Sequence, residues 1–147
     1  DLQRQSVLAS SSKSLLKTGC TAGQSRGDLS GDVMAFELSY GSRLTPFNML
    51  GTQAPVGTKV WVLSKDSNST SLTPDRYAGT VAASNPTGLI VQMDAPVKAL
   101  SSSGSPVVND KNELVGMMVG KQDDSRMVIM AIPSSSLIRR IYNEIGQ

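Results

Sequence analysis

Leu100-Ser101-Ser102-Ser103-Gly104-Ser105-Pro106-Val107-Val108-Asn109 runs a tight polar turn straight into a Pro-led apolar strand. A second apolar run, Leu114-Val115-Gly116-Met117-Met118-Val119-Gly120, follows after a short polar break. Two readings compete for the serine turn. Ser, Gly and Pro dominate turns for backbone reasons alone. A serine held on a tight turn just before a buried strand is also how several hydrolases present a nucleophile. The surrounding chain has to separate the two.

Downstream, Asn109-Asp110-Lys111-Asn112 has turn composition, so the runs on either side are expected to return on each other as an antiparallel hairpin. Asp123-Asp124-Ser125 turns again into Met127-Val128-Ile129-Met130-Ala131-Ile132, and Pro133 stops that strand. Ser134 or Ser135 then offers a hydroxyl to cap orphan N–H groups. Leu137, Ile138, Ile141 and Ile145 recur at helical spacing, with Gly146 placed as a C-cap. The tail is expected to be a helix packed by that stripe.

Upstream, Lys59-Val60-Trp61-Val62-Leu63-Ser64 has the β-branched and aromatic content of a strand. Tyr77–Ala83 and Leu89–Met93 follow, divided by the turn Asn85-Pro86-Thr87-Gly88. Residues 58–132 thus carry about six closely spaced strands, enough to close a barrel. Residues 40–57 hold Gly41, Pro46, Gly51, Pro55 and Gly57, a shift towards a long connection. Before it, 6–11, 14–20 and Asp32–Ser39 read as short strands around a glycine-rich loop at 22–31. The expectation is an all-β chain. It has a short first unit over 1–45, a linker over 46–57, and a complete second unit with its helix over 58–147.

The 147 residues suit one domain with a real core. With 18% charged residues, a net charge of +2 and few aromatics, no basic stripe points to nucleic acid. No apolar run is long enough to span a membrane, and the polar start Asp1-Leu2-Gln3-Arg4-Gln5 has no apolar signal region. Cys20 is the one cysteine, so neither an internal disulfide nor a thiolate metal cluster is expected. The count of zero histidines excludes His-ligated metals and a complete Ser–His–Asp triad within these residues. No cofactor and no metal are expected.

In their order and combination, these residues resemble the trypsin-like (chymotrypsin-fold) serine proteases, nearest the compact bacterial HtrA-type peptidases. Ser102-Ser103-Gly104-Ser105-Pro106-Val107-Val108 is similar to the family's Asp/Asn-Ser-Gly-Gly-Pro-Leu/Val turn. Asn112–Met117 is similar to the strand after it, and Asp32–Leu38 to the strand bearing the triad aspartate. Ala131-Ile132-Pro133-Ser134-Ser135 with the final helix is similar to the family's C-terminal end. The resemblance covers most of the chain from about residue 28 onward, and the family order His, Asp, Ser is kept for the last two.

The resemblance implies a double β-barrel, the first incomplete, with a C-terminal helix. It makes Ser103 the nucleophile and Asp32 the acid that orients the histidine. The backbone N–H groups of Ser101 and Ser103 would form the oxyanion hole. Met117, Met118, Val119 and Gly120 would flank the substrate and one apolar wall of its first specificity pocket, favouring a small or medium apolar residue before the cut. Ser105 and Ser101 stand where many members have glycine, and Met34 where Ala or Thr is usual.

Three functions stay open. One is a peptidase acting on protein or peptide substrates, whose His lies on an N-terminal segment outside this chain. Another is a pseudoprotease that binds peptides or acts as a scaffold. The third is a viral polyprotein protease, suggested by Ser-Gly-Ser-Pro. An extracytoplasmic location, periplasmic or secreted, follows from the family resemblance only.

Overall fold

The computed structural model of the chain describes residues 9–15, 33–39, 44–65, 70, 71, 73–98, 103–121 and 124–145. Its elements are β1 (Lys13–Ser14), β2 (Phe36–Glu37), β3 (Lys59–Ser64), β4 (Asp75–Asn85), β5 (Gly88–Met93), β6 (Pro106–Val108), β7 (Leu114–Lys121), β8 (Val128–Pro133) and α1 (Ser134–Ile145). Strands β3 to β8 close into an antiparallel barrel in the order β3-β4-β5-β8-β7-β6, with β6 returning to β3.

Period-2 alternation drives the closure. In β3, Val60 and Val62 turn inward; in β5 it is Leu89, Val91 and Met93. Val81, Val107, Val115, Met118, Ile129 and Ala131 complete one continuous core. Branched side chains of this size fill a small barrel completely, leaving no room for a lumen.

Turn chemistry sets the register. Asn85 Oδ1 accepts from the amides of Thr87 at 2.9 Å and Gly88 at 3.0 Å, closing the β4–β5 hairpin. Asn109 does the same between β6 and β7. Its Oδ1 accepts from the amides of Lys111 and Glu113, and its Nδ2 donates to Glu113 Oε2 at 2.7 Å. Asn112 supplies the left-handed step there, with φ 61°, a conformation asparagine tolerates better than most residues. The close approach of β4 and β5 needs Gly79, where a Cβ would sit 2.7 Å from the Gln92 carbonyl oxygen.

The segment read as a linker is docked on the barrel. Leu50 donates its N–H to the Leu114 carbonyl, and Leu114 donates back to Asn48. The Ser134 hydroxyl also donates to the Leu50 carbonyl at 2.5 Å. Through this bond Ser134 tethers α1 to the segment. Ser136 similarly donates to the Pro86 carbonyl.

Helix α1 packs on β7 and β8, but not by the whole expected stripe. Leu137 is 6% exposed and Ile138 half-buried, whereas Ile141 is 40% exposed and Tyr142 72%. Ile141 thus lies at the edge of the seat, and the side chain of Ile145 lies outside the described residues. Gly146 lies outside the described residues.

The described residues of the first unit show less strand than expected. Among the described residues, β1 and β2 form a two-stranded ribbon with Lys13 opposite Glu37 and Ser14 opposite Phe36. Residues 9–11 and 33–35 are irregular. Met34, Phe36 and Leu38 alternate along one side and are all exposed, so this ribbon buries no core of its own. A two-stranded pair is marginal without a further layer. Val33 is its anchor, buried in a second cluster with Ile132 and Leu137, against which Met117 and Val119 pack. Asp32, Cys20, Ser101, Ser102 and most of the strands expected at 6–11 and 14–20 lie outside the described residues.

Candidate active site

β6 and β7 pair only as far as Pro106 opposite Met117. Beyond that point the turn Ser103-Gly104-Ser105 takes over as the neighbour of β7. Gly104 donates its N–H to the Met118 carbonyl at 2.7 Å, and Met118 donates its N–H to the Ser105 carbonyl at 2.9 Å. The Ser103 hydroxyl donates to the Val119 carbonyl at 3.0 Å. Gly104 has φ 86°, a conformation that costs any residue with a Cβ. The local sequence explains the shape: glycine permits the left-handed step, and Pro106 starts the strand.

A bulge aims the acceptor. In the β7–β8 ladder Met118 lies opposite Ala131 and Gly120 opposite Met130, leaving Val119 as the extra residue. An extra residue in one strand re-aims a peptide group and weakens local pairing. The Val119 carbonyl accordingly meets Ser103 on the β6 side of the strand. Gly120 and Lys121 pair with β8 on their other flank. Among the described residues no strand pairs with β7 on the Ser103 side beyond Met117.

Ser103 is exposed. On its other side lies an open depression of about 390 Å³, formed by Phe47, Leu63, Ser64, Lys65 and Pro74 with Ser103 to Pro106. Its floor is largely apolar, and Lys65 is exposed at it. Among the described residues no three or more His, Cys, Asp or Glu side chains come together as a metal site. Among the described residues no helix is long and apolar enough to cross a membrane.

The residues named from sequence separate into groups. Ser103 stands on its turn, exposed, beside β7. Met118 is 1% exposed and points into the barrel core, so its backbone, not its side chain, faces the serine turn. Met117 and Val119 pack towards the cluster of Val33, Ile132 and Leu137. Asp32 and Ser101 lie outside the described residues. Sequence reasoning missed the Val119 carbonyl and the walls of the depression. A bulge leaves no composition signal, and the walls come from 47, 63–65 and 74, remote in sequence from 103.

A closed six-stranded antiparallel barrel ending in a C-terminal helix, with mostly β structure throughout, is the all-β barrel fold of the chymotrypsin-like proteases. The chain is similar to solved structures of the protease Rv3671c from Mycobacterium tuberculosis. Against an inactive form of a serine-to-alanine mutant the TM-score is 0.62 at 11% identity, covering 79% of this chain and 60% of that one. Against the inactive protease it is 0.61 at 12% identity, covering 78% and 62%; against the active form it is 0.61 at 15%, covering 78% and 54%. The chain thus spans between 54% and 62% of the length of these solved chains, less than two thirds. No family model matches the sequence, and no curated protein matches it.

Proposed function

We propose that this chain is the Ser- and Asp-bearing part of a serine endopeptidase of trypsin-like fold, acting on protein or peptide substrates. On this reading 1–45 belongs to a partial first barrel, 46–57 links it, and 58–147 is the second barrel with its helix. The histidine is supplied by polypeptide outside these residues. The observation that carries the reading is the serine turn. Ser103 is exposed on a glycine-dependent turn whose hydroxyl lies 3.0 Å from a strand carbonyl at a bulge.

The chemistry divides among named groups. Ser103 Oγ attacks the scissile carbonyl, and the histidine takes its proton as general base. Asp32 orients that histidine and stabilises its imidazolium form. The N–H groups of Ser101 and Ser103 bind the oxyanion, a contribution of about 3 kcal/mol or more for one donor in enzymes of this kind. An extended substrate pairs along β7 at Val119 and Gly120, on the flank where no strand pairs among the described residues, as strands added to a sheet edge do. Resemblance to the HtrA-type bacterial peptidases rests on the serine turn 102–108, the strand Asn112–Met117, Asp32–Leu38 and Ala131-Ile132-Pro133-Ser134-Ser135 leading into the final helix, taken together.

The test is a fluorophosphonate probe applied to the native protein in its source cells, followed by peptide mapping. Labelling at Ser103 is expected there, and none on the 147-residue chain alone, because it contains no histidine. A native form left unlabelled while other serine hydrolases in the sample react overturns the peptidase reading. The absence of histidine also favours a second reading, a peptide-binding module without turnover. Peptide binding without labelling selects it.

A further inference from the structure

We propose that Ser103 and Val119 form a latch that an incoming peptide releases. The proposal rests on the reading that extended peptides pair along β7, and concerns what that pairing does to the serine. The Ser103 hydroxyl donates to the Val119 carbonyl at 3.0 Å. That carbonyl is the acceptor the bulge removes from regular pairing with β8, since Met118 and Gly120 take consecutive partners Ala131 and Met130. It is also the first acceptor on β7 beyond the Met118 carbonyl, which the Gly104 amide already holds. A peptide strand laid along this flank of β7 therefore reaches the Val119 carbonyl with a backbone N–H. The hydroxyl and the amide compete for one oxygen, and the amide has the support of neighbouring strand contacts. Peptide binding turns Ser103 away from Val119 and leaves its hydroxyl directed elsewhere. A serine held in this way is quiet without a peptide and freed where one is bound.

Substituting the donor exposes the competition. The probe is a blocked peptide of Ala-Ala-Val-Ala sequence, with a series carrying one N-methyl group at each successive amide. Binding is measured by calorimetry on the wild-type chain and on Ser103→Ala, after circular dichroism shows that both are folded. Ser103→Ala is expected to bind the unmethylated peptide about two- to tenfold more tightly, the worth of one net hydrogen bond. Methylation at one amide should abolish that gain and weaken binding to both proteins. Equal or weaker binding by Ser103→Ala overturns the latch and leaves the peptide reading standing, since a carbonyl with two lone pairs would then serve both donors. A gain that survives methylation at every position overturns it too, because relief of bulk would be the cause. If neither protein binds any of the peptides, the latch and the peptide-binding reading both fall.

Discussion

Gly104→Ala puts the serine turn to a quantitative test. Gly104 has φ 86°, and an added Cβ would meet nothing within 4 Å. The cost is therefore conformational, not steric. A left-handed backbone costs a residue with a Cβ about 1–2 kcal/mol. Relief by rotating the turn would pull the Gly104 amide from the Met118 carbonyl, a 2.7 Å contact, and lose about 1 kcal/mol in its place. Either route converges on a loss of about 1–2 kcal/mol. For a domain near this size that lowers Tm by about 2–8 °C. The assay is thermal unfolding by circular dichroism, with Gly51→Ala as the control. Gly51 also has open space around its Cβ position, and it does not have a positive φ. Its substitution should be neutral or slightly stabilising, because alanine has less freedom to lose from the unfolded chain. Equal stability of Gly104→Ala and Gly51→Ala would refute the left-handed turn, and with it the presentation of Ser103.

Three other substitutions probe the frame around the turn. Gly79→Ala drives a methyl to 2.7 Å from the Gln92 carbonyl oxygen and 2.9 Å from Met93 Sδ. It should cost about 3 kcal/mol, read as a lower urea midpoint at unchanged slope. Asn109→Ala deprives the Lys111 and Glu113 amides of their acceptor in a part-buried turn, and should cost about 1–3 kcal/mol in the same assay. Met118→Ala should cost about 2–5 kcal/mol because its side chain fills the barrel. Met117→Ala, at a half-buried position, should cost clearly less. A reversed order would show that β7 has been placed with the wrong face inward.

The six-stranded barrel was legible because its strands alternate and its turns carry Asn, Gly and Pro. Val60 and Val62, Leu89 and Val91, and Ile129 and Ala131 are all buried where the pattern puts them. The first unit was much less legible. Val33-Met34-Ala35-Phe36-Glu37-Leu38 reads as a strand, yet only Phe36–Glu37 pairs as one among its described residues, and its large apolar side chains are exposed. Strand pattern speaks of a burying partner without providing it. The helix stripe failed at Ile141 for a related reason: periodicity sets which residues share a face, not how far the seat beneath them extends.

From sequence alone came the barrel's strand order along the chain, the hairpin turns, the terminal helix and the choice of Ser103 as the serine to examine. The strands, turns and helix depend on neighbours within a few residues, where alternation and turn chemistry act; the choice of Ser103 rested on the resemblance of its turn to that of the trypsin-like serine proteases. Tertiary structure alone settled that Met118 faces the core, that Ser134 ties the helix to Leu50, and that the Ser103 hydroxyl meets the Val119 carbonyl. Each of those turns on a register shift or a contact between segments far apart in the chain. A one-residue bulge at Val119 moves a carbonyl from one side of a strand to the other. No local pattern of residue types records that shift, because it arises only when β6, β7 and β8 must close the same barrel.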